Sequence, residues 1–224
     1  MKGEILQIKG FIFDLDGVIT DTAEYHYRAW KRLADDEGIP FSREDNEALR
    51  GISRRESLLL LLKGRSCSEE DLLGMMERKN RYYQDFIQGI TPADVLPGAL
   101  KLLMEIRLAD GRTALASASK NANTVIRRLK IDWLFDTVSD GYSVEHQKPA
   151  PDLFLHAANQ LGLPPEWCLV FEDAEAGIEA ARAGCFRSVG LGPKERVGKA
   201  EVVFPNLENV HLRDILNLLD SQIL

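Results

Sequence analysis

The sequence predicts an α/β protein in which a doubly wound parallel sheet is interrupted by an inserted α-helical cap. Three observations predict it. Short apolar runs ending in polar or acidic residues alternate with helical patterns over most of the chain, as in strands joined by crossover helices. One block, 21–89, follows a single strand and reads as helix throughout, too long for an ordinary strand-to-helix connection. The 224 residues suffice for one large domain or for one domain with an insertion, and 45% of them are apolar, as is usual in globular chains. The expected division is a core of residues 1–20 and 90–224 and a cap of residues 21–89.

The elements follow in order. Ile8 to Leu15 is nearly all apolar and rich in Ile and Phe, which reads as a buried strand. Gly17 then allows a tight turn. Asp21 with Glu24 reads as the N-cap signature of a helix over Ala23–Glu37, which Gly38 stops. A short polar helix covers Arg43–Arg50. Ser53 and Glu56 have capping-box spacing, so a helix starts there and takes the run Leu58–Leu62 into its core. Another begins near Ser68 and ends about Ile87. Alternation then returns. Pro97 and Gly98 open a helix to Leu108, and Gly111 precedes a strand over Thr113–Ser117. A helix over about Asn121–Lys130, a strand at Thr137–Ser139 and a helix over Pro151–Leu161 come next. Trp167–Phe171 is a buried strand, Ala174–Ala183 a helix closed by Gly184. Strands at Arg187–Gly190 and Val202–Phe204 and a helix over Leu212–Leu219 complete the order.

Composition narrows the functions. A net charge of −7 and a pI near 5.2 argue against a charge-driven nucleic-acid surface. Cys67, Cys168 and Cys185 are odd in number and unrelated in spacing, which fits reduced thiols in a cytoplasmic protein better than a disulfide framework or a zinc site. The opening MKGEILQIKG has no apolar secretion core, and no apolar run approaches the length of a membrane span.

Four stretches carry chemistry. In the first, Asp14 and Asp16 are two residues apart at a strand end, so their side chains can face one point. Two acids aimed at one point are relieved by a divalent cation, which hard oxygen ligands suit, or by a split of roles in which one carboxyl carries a proton. Two solvated acids at a strand end remain the plainer alternative. In the second, Ser117-Ala118-Ser119-Lys120-Asn121 follows a strand and opens a helix; hydroxyls, an ammonium and free N–H groups suit a phosphate, though an ordinary N-cap would look similar. The third is Lys148, held by Pro149 and Pro151 as a stiff cationic contact or a surface turn. The fourth is Glu172-Asp173, a second pair of acids after an apolar strand, or an N-cap for the next helix.

The string FDLDGVITDT, followed in order by Ser117, Lys148 and Glu172-Asp173, resembles the four motifs of the haloacid dehalogenase superfamily, and the longer run DGVITDTAEYHYRAW resembles its β-phosphoglucomutase family. The resemblance implies a Rossmann-like core under a helical cap, with the motifs converging where the strand order reverses. It further implies Asp14 as a nucleophile forming an aspartyl-phosphate and Asp16 as general acid and base. Mg²⁺ would be held by Asp14, the backbone carbonyl of Asp16 and Asp173, with Glu172 close by. Ser117, Ala118 and Lys148 would meet the transferring phosphate. In the cap it implies Thr22, His26, Trp30, Gly51, Arg54 and Lys79 as substrate contacts, with Arg54, Ser119, Lys120 and Asn121 on a second phosphate. For His26 a packed helix-face histidine, and for Lys79 a solvated face, are the plainer readings. The loop Gly141–Gln147 before Lys148 departs from the family's pattern.

The expected activity is the Mg²⁺-dependent exchange of β-glucose 1-phosphate and glucose 6-phosphate through a hexose bisphosphate. The expected protein is a cytoplasmic monomer that binds hexose phosphates and neither nucleic acid nor membrane. A sugar-phosphate or phosphoglycolate-like phosphatase with the same core is the alternative, and a catalytically silent ligand-binding protein is the alternative from another class.

Overall fold

The computed structural model describes residues 8–221. Most of the stretch read for a secretion signal, and the outer ends of the core ranges, lie outside the described residues. Six parallel strands form one sheet in the order β3-β2-β1-β4-β5-β6: β1 Gly10–Phe13, β2 Arg112–Ala116, β3 Thr137–Ser139, β4 Cys168–Glu172, β5 Arg187–Leu191 and β6 Val202–Phe204. From β1 the chain runs outward to β2 and β3, then returns across β1 to β4. The strand order therefore reverses between β1 and β4, where open α/β sheets form a binding crevice.

Burial on both faces explains the nearly continuous apolar strands. Phe11, Phe13, Leu115, Leu169 and Phe171 point into one cluster, shared with α5 (Ala99–Leu108), α6 (Ala122–Arg128) and α10 (Leu212–Asp220). Ile12, Ala114, Ala116 and Val170 point the other way, onto α7 (Asp152–Leu161) and α8 (Glu175–Ala183). This is period-two alternation with no polar face.

Between β1 and α5 lie α1 (Ala23–Asp36), α2 (Arg43–Glu47), α3 (Arg54–Leu62) and α4 (Glu69–Phe86), packed around their own cluster of Trp30, Leu33, Phe41, Leu58, Leu61, Leu62 and Leu72. They form the helical cap. Capping boxes start three of its four helices: Ser42 with Asp45, Ser53 with Glu56, and Ser68 with Asp71. Among the described residues, no helix is long and apolar enough to cross a membrane.

Several local expectations need correction. The first strand is shorter than its apolar run, because Leu15 turns into the loop and Asp16 makes an isolated bridge to Thr20. Asp21 and Glu24 do not form a capping box. Asp21 accepts from the Ala23 N–H, while Glu24 is drawn to Arg28 and Arg43. The polar helix after Pro40 ends at Glu47. Within the leucine run, Leu59 and Leu60 are exposed, as helical period requires. A short helix, α9 (Lys194–Val197), has no counterpart in the sequence reading.

Candidate active site

The floor of the site is built at the carboxyl ends of β1, β2 and β4. Asp14 extends β1 by donating its N–H to the Phe171 carbonyl at 2.9 Å. Its Oδ2 accepts from the Asp16 N–H at 2.9 Å, and its Oδ1 accepts from Lys148 Nζ at 2.6 Å. Lys148 is fully buried. Its other bonds go to Glu172 Oε2 at 2.7 Å and to the Ala116 carbonyl at 3.2 Å, which uses all three ammonium donors. Burial alone would depress this ammonium, but Asp14 and Glu172 outweigh it and hold its pKa above the usual lysine value. The lysine is thus an internal strut and not a surface turn.

Glu172 is the last residue of β4, and its free Oε1 accepts from the N–H groups of Asp173 and Ala174, both at 3.0 Å. The turn into α8 is therefore capped by Glu172. The reading of Asp173 as an N-cap is incorrect: Ala174 holds that position and has no side chain able to cap the helix. Two glycines make room for these acids. A Cβ on Gly177 would fall 2.0 Å from the Glu172 carboxyl, and one on Gly17, at φ +77°, 2.3 Å from Asp173 Oδ2.

Asp14, Glu172 and Asp173 bring one carboxylate oxygen each to within 4.8 Å of one another. All three are buried. Asp173 Oδ2 lies 3.1 Å from Arg50 Nη1 of the cap and 3.5 Å from Arg196 Nη2. Burial and the charge of Asp14 nonetheless push the Asp173 carboxyl up to about 7, against the pull of both arginines. Glu172 is likewise raised, first by burial, despite Lys148. Buried oxygens that keep protons because positive charge is short fit a hard divalent cation.

Asp16 stands beside this cluster. Its Oδ1 accepts from the Thr22 hydroxyl, which in turn receives a bond from Tyr83 Oη at 3.2 Å. Burial first, then the charges of Asp14 and Asp21, raise the Asp16 carboxyl to about 7, with Thr22 and Lys79 opposing. Two acids two residues apart thus have different surroundings, one on an ammonium and one holding its proton near neutrality.

Above them is a cleft of about 790 Å³, open to solvent, between cap and core. Asp14, Asp16, Ser117, Ala118, Ser119, Lys120 and Asp173 line it from the core, and His26, Trp30, Gly51, Arg54 and Lys79 from the cap. Ser117 Oγ accepts from the Ser119 N–H at 3.1 Å and Ser119 Oγ from the Asn121 N–H at 3.3 Å, so the loop folds on its own hydroxyls. Asn121 has no capping bond of its own; its amide reaches Asn80 Oδ1 at 2.9 Å, which also accepts from Arg54 Nη2 at 2.9 Å. One asparagine thereby joins a cap arginine to the core loop. Lys79 is buried, with Nζ 2.9 Å from His26 Nδ1 and over the rings of Trp30 and Tyr83 at 4.6 and 5.0 Å. Its solvated-face reading is therefore incorrect. His26 packs on Tyr83 at 4.2 Å, lines the cleft, and leaves Nε2 buried with no partner.

Four expected residues stand behind the cleft wall: Thr22 under Asp16, Asn121 behind Asn80, and Lys148 and Glu172 under Asp14. The sequence reading missed Tyr83, Arg50 and Arg196. Arg50 and Arg196 meet Asp173 from 123 and 23 residues away, and no local pattern signals either contact. Tyr83 carried a faint signal, being four residues after Lys79 on the same helix face.

Known proteins resemble this chain in sequence and in fold. The model of the haloacid dehalogenase-like hydrolase family matches residues 8–184. A β-phosphoglucomutase of Bacillus subtilis is 44% identical over 200 residues, 88% of either chain. A phosphorylated carbohydrates phosphatase of Thermotoga maritima is 28% identical, over 95% of this chain and 98% of that protein. The crystal structure of a β-phosphoglucomutase from Clostridium difficile superposes with a TM-score of 0.93 at 42% identity, covering 96% of this chain and 99% of the other. A six-stranded parallel sheet with its acids at the reversal point, a helical cap over them, and these likenesses lead to one conclusion: the chain belongs to the haloacid dehalogenase-like hydrolase family, among its β-phosphoglucomutases.

Proposed function

We propose that the chain interconverts β-glucose 1-phosphate and glucose 6-phosphate by way of an aspartyl-phosphate and a hexose 1,6-bisphosphate. The observation that carries this reading is the pairing, in one cleft, of Asp14, braced on Lys148, with Asp16, whose proton persists to about 7. Asp14 Oδ attacks the phosphorus, and Asp16 protonates the departing sugar oxygen. In the return step Asp16 takes the proton of the attacking hydroxyl. Lys148 and Ser117 neutralise and orient the moving phosphoryl group. A Mg²⁺ ion held by Asp14, the Asp16 carbonyl and Asp173, with Glu172 close by, would offset charge on the phosphoryl oxygens. Arg54, Ser119 and Lys120 take the second phosphate, with Asn121 joined to Arg54 through Asn80 behind them. His26, with its unpartnered Nε2, joins Lys79, Trp30 and Gly51 around the sugar.

The reading divides the chain into a core of 1–20 and 90–224 and a cap of 21–89, hinged near 20–22 and 86–92. Its support is that the two linkers are tied together at the core edge. Thr20 Oγ1 donates to the Asp94 carbonyl at 2.7 Å, Thr20 bridges to Val95, and the Leu96 N–H donates to Ile19 at 2.9 Å. Closure of the cap would keep water from the phospho-enzyme.

The experiment supplies Mg²⁺, β-glucose 1-phosphate and a trace of glucose 1,6-bisphosphate. Glucose 6-phosphate as the main product supports the mutase. Inorganic phosphate in its place supports the second reading, a phosphatase of phosphorylated carbohydrates. The likeness to the Thermotoga phosphatase over nearly the whole chain favours keeping that second reading.

A further inference from the structure

The loop 141–147 is the part of the core read in the sequence as departing from the family's pattern, and none of its residues has a role in the scheme above. It is nevertheless firmly built. The Asp140 carboxylate accepts from the Tyr142 N–H at 2.9 Å and from Asn123 Nδ2 at 3.3 Å, and the Asp140 N–H donates to Ser143 Oγ at 2.9 Å. Gly141 lies so close to the phosphate loop that a Cβ there would stand 2.4 Å from the Ala118 carbonyl oxygen and 3.2 Å from the Lys120 nitrogen. That approach delivers the next side chain, Tyr142, onto Lys120, with the ammonium 4.5 Å from the ring centroid. The ring is 70% exposed, so it fills no core. Its neighbour, Lys120, is a cation that lines the cleft from the core. Arg54 lines the same cleft from the cap, half-buried and held by Asn80 Oδ1 at 2.9 Å.

We propose that Tyr142 is a positioning residue for the phosphate that is not transferred: its ring face holds the Lys120 ammonium at the cleft mouth, opposite Arg54. Lysine carries about 2 kcal/mol of rotamer freedom, and a fixed ring withdraws part of it before the ligand arrives. Cation–π contacts at exposed sites are weak, which translates to an effect of about three- to fivefold in affinity. The inference rests on the second phosphate site of the mutase reading, so its test must not depend on turnover.

The measurement is the affinity for glucose 6-phosphate by calorimetry without divalent metal, where the acids around Asp14 repel phosphate and the Arg54–Lys120 end is left to bind it. Tyr142→Leu is expected to weaken binding about three- to fivefold, and Tyr142→Phe to restore it to within about twofold, since the ring is kept. In a Lys120→Met background, Tyr142→Leu should have no further effect, the signature of action through that lysine. Wild-type affinity in Tyr142→Leu, a Tyr142→Phe variant as weak as Tyr142→Leu, or an undiminished Tyr142→Leu effect without Lys120 would each overturn the proposal. If the wild type does not bind glucose 6-phosphate without metal, this proposal falls, while the mutase reading is decided by its own assay with Mg²⁺. If it binds the ester but never isomerises it, only the mutase reading falls.

Discussion

Among the described residues two lysines are buried, one in each part, and they have opposite electrostatic fates. Lys148 in the core is fully buried and Lys79 in the cap is 3% exposed. Lys148 meets two carboxylates, and its ammonium is held above its ordinary pKa. Lys79 meets an imidazole nitrogen and two ring faces. Burial and the nearby Arg54 drive it well below its ordinary pKa, with only Asp16 supporting the charge. The rings favour an ammonium, but they do not replace a counter-ion. Burial depth therefore says little about the charge of a lysine until its neighbours are named. The core lysine is a fixed positive charge beneath Asp14, while the cap lysine is a soft, tunable group lining the cleft.

The contrast can be broken in graded ways. The largest effect should follow removal of the carboxylate above Lys148. Asp14→Asn is expected to cost at least about 10⁴-fold in turnover with the fold retained, measured by glucose 6-phosphate formation and far-UV dichroism. A catalytically silent binding protein would show no such loss. Next come the lysines themselves. Lys148→Met leaves buried acids without their cation and should lower stability by about 3–5 kcal/mol, whereas Lys79→Met should cost under about 1 kcal/mol. Equal losses in denaturant titrations would erase the distinction. Arg54→Ala should reduce mutase kcat/KM by about 100-fold and spare phosphate release, because hydrolysis needs no second phosphate site.

The smallest effect concerns pH and metal. The Asp173 carboxyl, at about 7 instead of 3.8, retains a proton in the folded, metal-free protein. Its contribution to stability is therefore greatest below its ordinary value and fades as pH rises through about 7. A cation must displace that proton. The rise in Tm on adding Mg²⁺ should accordingly be larger at pH 8 than at pH 6, and the opposite order would count against Asp173 as a ligand.

Much of this was legible locally. The Ser53 and Glu56 spacing reads directly as a helix start, and Thr137–Ser139 and Val202–Phe204 are strands at the expected bounds. Such features depend on nearest neighbours in the chain. Asp14 and Asp16 were also legible, since i, i+2 spacing at a strand end needs no tertiary information. The failures share one cause. Glu24 was expected to cap its own helix, but Arg43, 19 residues away, offers it a charged partner. Capping of α8 was the plainer alternative for Asp173, but its carboxylate is drawn to Arg50 of the cap and to Arg196, and Ala174 takes the N-cap position. Charged side chains choose partners in space, and Arg50 meeting Asp173 across the cleft could not be read from either segment alone.

The paired linkers at Thr20, Asp94 and Val95 have a consequence for how a bisphosphate could be handled. A lid carried on two threads stitched side by side can tilt about the stitch but has little freedom to slide or spin. In the proposed cycle, each reopening would then bring Arg54 back to the same bearing relative to Asp14. A ligand released into the open jaws could reverse its ends and meet an unchanged pair of anchors, so a one-axis pivot would let one enzyme treat both termini of the sugar alike.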